Sequence, residues 1–434
     1  MTATFSAARL LGLWDRLRTS FWFLPSVMAT TAAILSLALV RFDAWLGERT
    51  VREAEWLYAF GPEGARAILS AIASSMITVA GLTFSITMLT LQLASSQFGP
   101  RLLRNFMRHR GIQIVLGIFI STFIYCLLVL RTVRGVEGAS FVPHVSVAFG
   151  LVLAVASIAV LIYFIHHVAN AIRIETVLAD LAAETAETIE RLYPQQLGAD
   201  APAAPGAVLP AGFESGRLAI PAEAGGYVQR VDDEALMGVA TEADLVLRIE
   251  ARPGRFVYAG AALLSAWPAE RLSEDVVARL RGALVIGNDR TPYQDLDFSI
   301  RRFVEIAQRA LSPGINDPTT AIYCIDRLGE AFLCLAGRQL PSPTRADDAG
   351  RLRVLTEVDT LHALAGPAFA AVARYGAEDT DVVRRLTQVI GAVSAAAEPV
   401  ARRDLERLAA AIRAEVERSC TAVDAVAAQP AASS

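Results

Sequence analysis

No lysine occurs anywhere in this chain of 434 residues, so all 40 basic side chains are arginine. That absence excludes a P-loop, whose lysine reaches the phosphates, and also a Schiff-base amine or a lysine carrying biotin or lipoate. Cysteine is scarce: Cys126, Cys324, Cys334 and Cys420 show no CxxC or other ligand spacing, which indicates a reduced compartment without a disulfide framework. Charge is thin too, at 19% of residues against 54% hydrophobic, and a net charge of -4 gives no bulk field for nucleic acid. HExxH, GxSxG, GxGxxG after a strand and the EF-hand loop are all missing. With no cluster of histidine, cysteine and carboxylates either, the sequence is read as non-enzymatic, with no catalytic residue, metal site or cofactor.

What the chain does contain is long apolar runs. Four reach the length of about 20 helical residues that crosses a hydrocarbon core: roughly 21–40, 68–93, 112–130 and 145–165. Each can satisfy its backbone in lipid only as a helix. Trp22 and Trp45 flank the first run as interfacial aromatics, and the run has no convincing cleavage site, so it is read as an uncleaved anchor. His166 and His167 close the fourth run. Adjacent residues on a helix diverge by about 100°, so they read as interfacial anchors rather than a metal pair. Residues 1–166 are thus expected to form a four-helix membrane domain with the lipid bilayer as its partner.

Arginine counts orient it. Arg9, Arg16, Arg18, Arg101, Arg104, Arg108, Arg110 and Arg173 fall on one side, and Arg41, Arg49, Arg52, Arg66, Arg131 and Arg134 on the other. The bias places both termini in the cytoplasm of a bacterial inner, or plasma, membrane.

The second run is threaded with hydroxyls. Ser70, Ser74, Thr78, Gly81, Ser85, Gln92 and Ser96 recur at steps of three, four or seven, along one uncharged helix face. Small and hydroxyl residues in such a face let two membrane helices approach closely. Alternatively, several copies of the run surround a narrow polar path in a homo-oligomer, with Gln92 and the Ser95, Ser96, Gln97 cluster at its cytoplasmic mouth. After Gly99 and Pro100, Arg101, Arg104 and Arg108 share one side of a short segment beside Leu102, Leu103, Phe106 and Met107. That pattern fits contact with anionic lipid headgroups or a topology signal alone.

The remainder reads as a cytoplasmic α+β domain: a small β-rich unit followed by a helical bundle. A stalk helix over 167–193 carries an apolar seam of Ile174, Leu178, Leu181, Thr185, Thr188 and Leu192, with Glu175, Asp180, Glu184, Glu187 and Glu190 on its wet side. Residues 194–216, rich in proline, alanine and glycine, read as a mobile linker. The β-rich unit, 217–266, has the strand-like runs RLAIPA, GYVQRV, DLVLRIEA and RFVYAGAALLSA and a helix starting near Asp232. Its segment ARPGRFVYAGAALLS resembles the turn and strands of barrel-sandwich hybrid domains such as lipoyl and biotinyl carriers; without lysine the likeness concerns shape alone. Residues 273–425 read as helical and 426–434 as a disordered tail. Between two helices of this part lies SPGINDPTT, where Asn316 or Asp317 followed by Pro318 signals a helix start. A helix N-terminus also attracts anions, so Asn316 and Asp317 with Arg301, Arg302 and Arg309 nearby form a candidate ligand pocket.

The run SSMITVAGLTFSITMLTLQLASSQFGPR, followed downstream by IRRFVEIAQRALSPGINDPTTAIYCIDRL, resembles an uncharacterised bacterial family of predicted membrane proteins, the domain of unknown function twenty-two fifty-four. The resemblance covers nearly the whole chain. It implies a multi-span inner-membrane protein with a cytoplasmic C-terminal region and implies no activity. Two readings follow from the residues: a homo-oligomeric channel or transport-type protein with a cytoplasmic regulatory domain, or a membrane-anchored sensor or scaffold. In the second, the cytoplasmic domain binds an unidentified small molecule or protein.

Overall fold

A computed structural model describes residues 22–51, 61–98, 110–134, 141–171, 173–193 and 209–427. The chain divides into two compact units, Met1–Arg173 and Ile174–Ser434.

The first unit contains α1 (Phe23–Val51), α2 (Pro62–Phe98), α3 (Arg110–Leu130) and α4 (His144–Ala171). Each holds a stretch long and apolar enough to cross a bilayer: Phe23–Leu46, Pro62–Leu93, Gly111–Leu130 and His144–Val168. Helix α3 sits at the centre and packs against the other three, burying Phe119, Tyr125, Cys126 and Val129 against Leu69, Ala73 and Met76 of α2 and Phe164 of α4. Gly117 lets α1 come close; a Cβ there would meet the Met28 sulfur at 2.5 Å.

Helix α1 runs past the expected end at Val40, through Arg41 and Asp43, because Asp43 has a partner. Its carboxylate accepts hydrogen bonds from the Val145 and Ser146 backbone N–H groups, each at 2.9 Å, and from Ser146 Oγ at 2.6 Å. One helix thereby caps the N-terminus of another, where backbone donors lack intrahelical acceptors and the dipole favours negative charge. Tyr125 Oη donates to the Ser146 carbonyl at 2.9 Å, so α3 joins the same knot.

The second unit begins with α5 (Ile174–Leu192), followed after a helical turn at Phe213–Gly216 by two sheets. A five-stranded sheet has the order β1 (Leu218–Pro221), β5 (Ala262–Trp267), β3 (Val246–Ile249), β8 (Leu352–Leu355), β7 (Thr344–Ala346). A three-stranded sheet has the order β4 (Phe256–Val257), β2 (Gly226–Val231), β6 (Leu284–Gly287). Among the described residues only the β3 and β8 pair is parallel. Val228, Leu247, Leu263 and Leu264 form their common core with Leu236 of α6 (Asp233–Glu242) and Leu280 of α7 (Glu274–Gly282). Asp232 caps α6, as its position in sequence predicts.

One expectation changes here. Strands β6, β7 and β8 come from 273–425, read above as helical; runs of three or four residues are too short to show a period. In addition, β4 and β5 enter different sheets, with Gly260 at φ 85° between them. They do not pair with each other as a simple hairpin would.

An ion cluster built on buried Arg353 and Asp347, with half-exposed Asp244, fixes the parallel pair. Arg353 of β8 reaches Asp347 at 2.9 Å, Asp244 at 2.8 Å and the Leu245 carbonyl at 3.3 Å. Asp347 also accepts from the Ala349 and Arg351 N–H groups.

Five helices complete the unit: α8 (Leu296–Ala310), α9 (Pro318–Ala336), α10 (Leu361–Gly376), α11 (Thr380–Ala396) and α12 (Pro399–Ala427). Phe303, Phe332 and Phe369 are fully buried among them, the last two edge to face at 5.2 Å. The expected stalk, α5, starts only at Ile174 and buries Val177, Leu178, Leu181, Thr185, Thr188 and Ile189. It packs on α8 and α9, so its seam is used within its own unit. Residues 194–208 of the expected linker and 428–434 of the expected tail lie outside the described residues.

Two measurements check these contacts. Asp43→Ala removes a cap between helices and should lower stability in detergent by about 1–2 kcal/mol, seen as a lower thermal midpoint. For Asp347, the Arg351 N–H first, and then the Arg353 guanidinium against the cost of burial, hold the carboxyl down to about 2. The unfolded value is about 3.9, so its contribution is full above about pH 4 and lost as the pH falls through about 2. Asp347→Asn should therefore weaken the sheet near neutral pH but remove part of the acid sensitivity between those limits, read by hydrogen exchange over β7 and β8.

Candidate functional site

The hydroxyl face of α2 points away from the rest of its unit. Ser70, Ser74, Thr78, Gly81, Ser85 and Gln92 are all exposed, and a Cβ on Gly81 would meet nothing within 4 Å. Ile77, Leu82, Met88 and Leu89 are exposed alongside them, so the stripe runs through an apolar surface. Thr78 Oγ1 donates to the Ser74 carbonyl and Ser85 Oγ to the Gly81 carbonyl, both at 2.9 Å. These hydroxyl protons are satisfied inside the helix. Ser96 lies on the same helix, while its side chain, like all of Arg101, Arg104 and Arg108, falls outside the described residues.

A second hydroxyl row on α2 does the packing within the chain. Thr83, Thr87 and Thr90 are buried, and Thr87 and Thr90 bond back to the Thr83 and Ile86 carbonyls. Their spacing of four and three was as visible in the sequence as that of the outer stripe. Periodicity defines a face but does not say which side of the helix meets its neighbours.

The SPGINDP segment is a tight link between α8 and α9. Asn316 is exposed, with φ 49°, and its N–H donates to the Ser312 carbonyl at 2.9 Å. The Asp317 carboxylate accepts from Thr320 N at 3.1 Å and Thr320 Oγ1 at 2.6 Å, so it caps α9. Arg301 lies nine residues before the end of α8, about 13 Å of helix rise, and pairs with Asp297 at 2.8 Å. Arg309 stands in the last turn of α8, where its carbonyl accepts from Ser312. Arg301 and the loop are therefore not gathered at one point, and the aspartate is committed to capping.

The dense polar site lies instead at the opposite end of α8. Arg290 grips Asp295 through two bonds of 2.7 Å and reaches Asp297 at 3.0 Å. Asp295 is buried and caps α8 through Phe298 N at 2.9 Å. Gly254, at φ 85°, brings the β-unit against it; a Cβ there would stand 2.1 Å from Asp295 Oδ2. Beside these, Arg252 pairs with Asp359, and Tyr193 Oη at the end of α5 donates to the Asp359 carbonyl at 2.8 Å. Burial, with the charges of Asp297 and Asp295, raises the Asp359 carboxyl, against the pull of Arg252. Burial alone would raise Asp297 also, but Arg301 and Arg290 hold it below the usual carboxylate range.

Arg302 carries the sharpest imbalance. Its side chain is 4% exposed and reaches Glu184 of α5 at 2.9 Å. Its Nε and Nη2 have no hydrogen-bond partner among the described residues. Phe298 supports it from below with a ring centroid at 5.4 Å and carries Arg290 at 5.3 Å. The sequence grouped Arg302 with the SPGINDP loop; its partner Glu184 lies on another helix far earlier in the chain, where spacing along α8 gives no signal.

A groove of about 400 Å³ between α11 and α12 is lined by Ile390, Gly391, Leu405, Ala409, Arg402 and Arg413. Arg402 is occupied by the Ser394, Ala395 and Ala397 carbonyls. Among the described residues no group of three or more histidine, cysteine or carboxylate side chains is placed to hold a metal ion.

The family model described as Predicted membrane protein (DUF2254) matches residues 18–392, which takes in both units and ends inside α11. An uncharacterized protein of Mycobacterium bovis is 33% identical over 408 residues, covering 91% of this chain and 75% of its own. An uncharacterized protein of Mycobacterium tuberculosis matches to the same extent. No solved structure matches the chain.

The Glu184 and Arg302 pair can be tested by a double-mutant cycle. Glu184→Leu leaves a buried guanidinium without its carboxylate and should cost about 1–3 kcal/mol, discounted for the partial exposure of Glu184. Adding Arg302→Met removes the stranded charge and should recover most of that loss. Hydrogen exchange over Ile174–Leu192 reads both steps; equal exchange in the single and double variants would show the two residues uncoupled.

Proposed function

The chain belongs to the DUF2254 family of predicted membrane proteins, and from that premise we propose that α1 to α4 span the bacterial inner membrane and that the outer stripe of α2 joins copies of the chain around a narrow polar path. Support for insertion comes from the outer surface of α4, where Val152, Val155, Ile158, Ile162 and Ile165 are all exposed and would gain by leaving water. Arginine asymmetry favours both termini in the cytoplasm. The C-terminal unit is then the regulatory part of a channel or transport-type protein.

One observation carries the oligomeric path: the stripe is exposed while Thr83, Thr87 and Thr90 perform the internal packing of α2. A small-residue face left over after the chain has packed itself is available to a second copy. A second reading, a membrane-anchored sensor or scaffold, is favoured by α5. This helix begins within three residues of the end of α4 and is bound into the C-terminal unit, so a ligand or protein held there would act on a helix joined directly to a span.

Reconstitution in liposomes separates them. With Ser74→Leu, Thr78→Leu and Ser85→Leu combined, ion flux should fall to the level of protein-free liposomes while chemical cross-linking still shows the parent's oligomer. Unchanged flux in the variant would overturn the path. No flux from either protein, with the oligomer intact, would leave packing as the stripe's role and support the scaffold reading.

A further inference from the structure

The three-stranded sheet has two unlike faces. Val228, Val257 and Leu284 point into the core, with Ile286 packed against it. On the other face Tyr227 stands opposite Phe256 in β4 and Gly287 in β6, and Arg230 opposite Val285. Phe256 is 45% exposed and Tyr258, just beyond β4, 74%. These rings form one group: Tyr227 meets Phe256 edge to face at 5.1 Å, and Phe256 meets Tyr258 at 5.3 Å. Among the described residues no element covers Phe256 or Tyr258 to the extent that a core aromatic is covered.

The face continues through charge. Arg230 lies 5.5 Å from the centroid of Tyr293, itself about half exposed, and Arg191 of α5 lies 4.5 Å from the same ring. Neither arginine has a carboxylate within ion-pair distance among the described residues. Elsewhere in this unit exposed arginines commonly do, as Arg271, Arg279, Arg301 and Arg384 show. Exposed aromatics bordered by uncompensated guanidinium groups match a surface that is apolar and polar in depth and negative overall.

We propose that this outer face docks on an anionic lipid bilayer, with Phe256 and Tyr258 entering the headgroup zone and Arg191 and Arg230 meeting lipid phosphates. Aromatic rings with one polar edge favour that zone, and each arginine near an anionic leaflet contributes to binding. A second copy of the same face is a poor partner, because its arginines would oppose these. Single-stranded nucleic acid offers stacking and phosphate too. Lipid has the advantage of proximity: only residues 172 and 173 separate α4 from α5 in sequence, so the bilayer is present at high effective concentration. The inference rests on the reading of α1 to α4 as membrane spans.

The test uses the full chain with p-benzoylphenylalanine in place of Tyr258, reconstituted in phosphatidylcholine liposomes with or without phosphatidylglycerol and irradiated. Exposed Tyr375 serves as the control position. Insertion is scored separately by resistance to alkaline extraction. Lipid adducts are expected at 258, dependent on phosphatidylglycerol, and absent at 375. Arg230→Gln should reduce them about five-fold, and Arg191→Gln added to it should reduce them about five-fold again. An inserted chain that gives no lipid adduct, or gives adducts to another copy or to added oligonucleotide instead, overturns the docking face and leaves the spans standing. A chain removed by alkali overturns the spans and this inference with them.

Discussion

Asp295 organises the C-terminal unit because it performs three tasks from a buried position. It caps α8, it takes both arms of Arg290, and it leaves room on its far side for the backbone of Gly254 but for no side chain there. A buried carboxylate is costly unless its lone pairs are filled, and these contacts fill them. The β-unit, the start of α8 and, through Asp359, the end of α5 consequently meet at one point. Moving any of these elements disturbs the others. Arg302, one turn further along α8, is supported by the same Phe298 ring as Arg290, so the half-satisfied guanidinium against α5 is tied to this hub as well.

The N-terminal unit solves a similar problem with fewer charges. Asp43 fills the open end of α4, and hydroxyls on α1, α2 and α4 mostly bond to carbonyls of their own helices. Contact between helices then depends on shape, as at Gly117 and Met28, with few polar links such as Thr122 to Ser157 at 3.3 Å. Helix α2 is consequently two-faced: one threonine row turned inward, one serine-rich row turned outward.

Much of this was legible in the sequence because it depends on composition and short-range rules. The four apolar helices, the caps at Asp232 and Asp317, and four of the buried positions of α5, Leu178, Leu181, Thr185 and Thr188, follow from length, N-cap chemistry and period. What escaped depends on partners distant in the chain. Asp43 lay beyond the apolar run and gained meaning only from Ser146, a hundred residues on. Arg302, grouped by sequence with the SPGINDP loop, is instead covered by α5 and faces Glu184. Strands β6 to β8 were too short to declare themselves. The helix start read at SPGINDP is a cap made by Asp317, while Arg301 turns to Asp297 and not to that loop.

The internal bonds at two positions of the α2 stripe decide what those two hydroxyls can still do. Thr78 and Ser85 have already given their protons to the Ser74 and Gly81 carbonyls, which leaves lone pairs as their remaining polar capacity. At these two positions water can approach by its hydrogens and find an acceptor, while neither hydroxyl has a proton left to offer an anion.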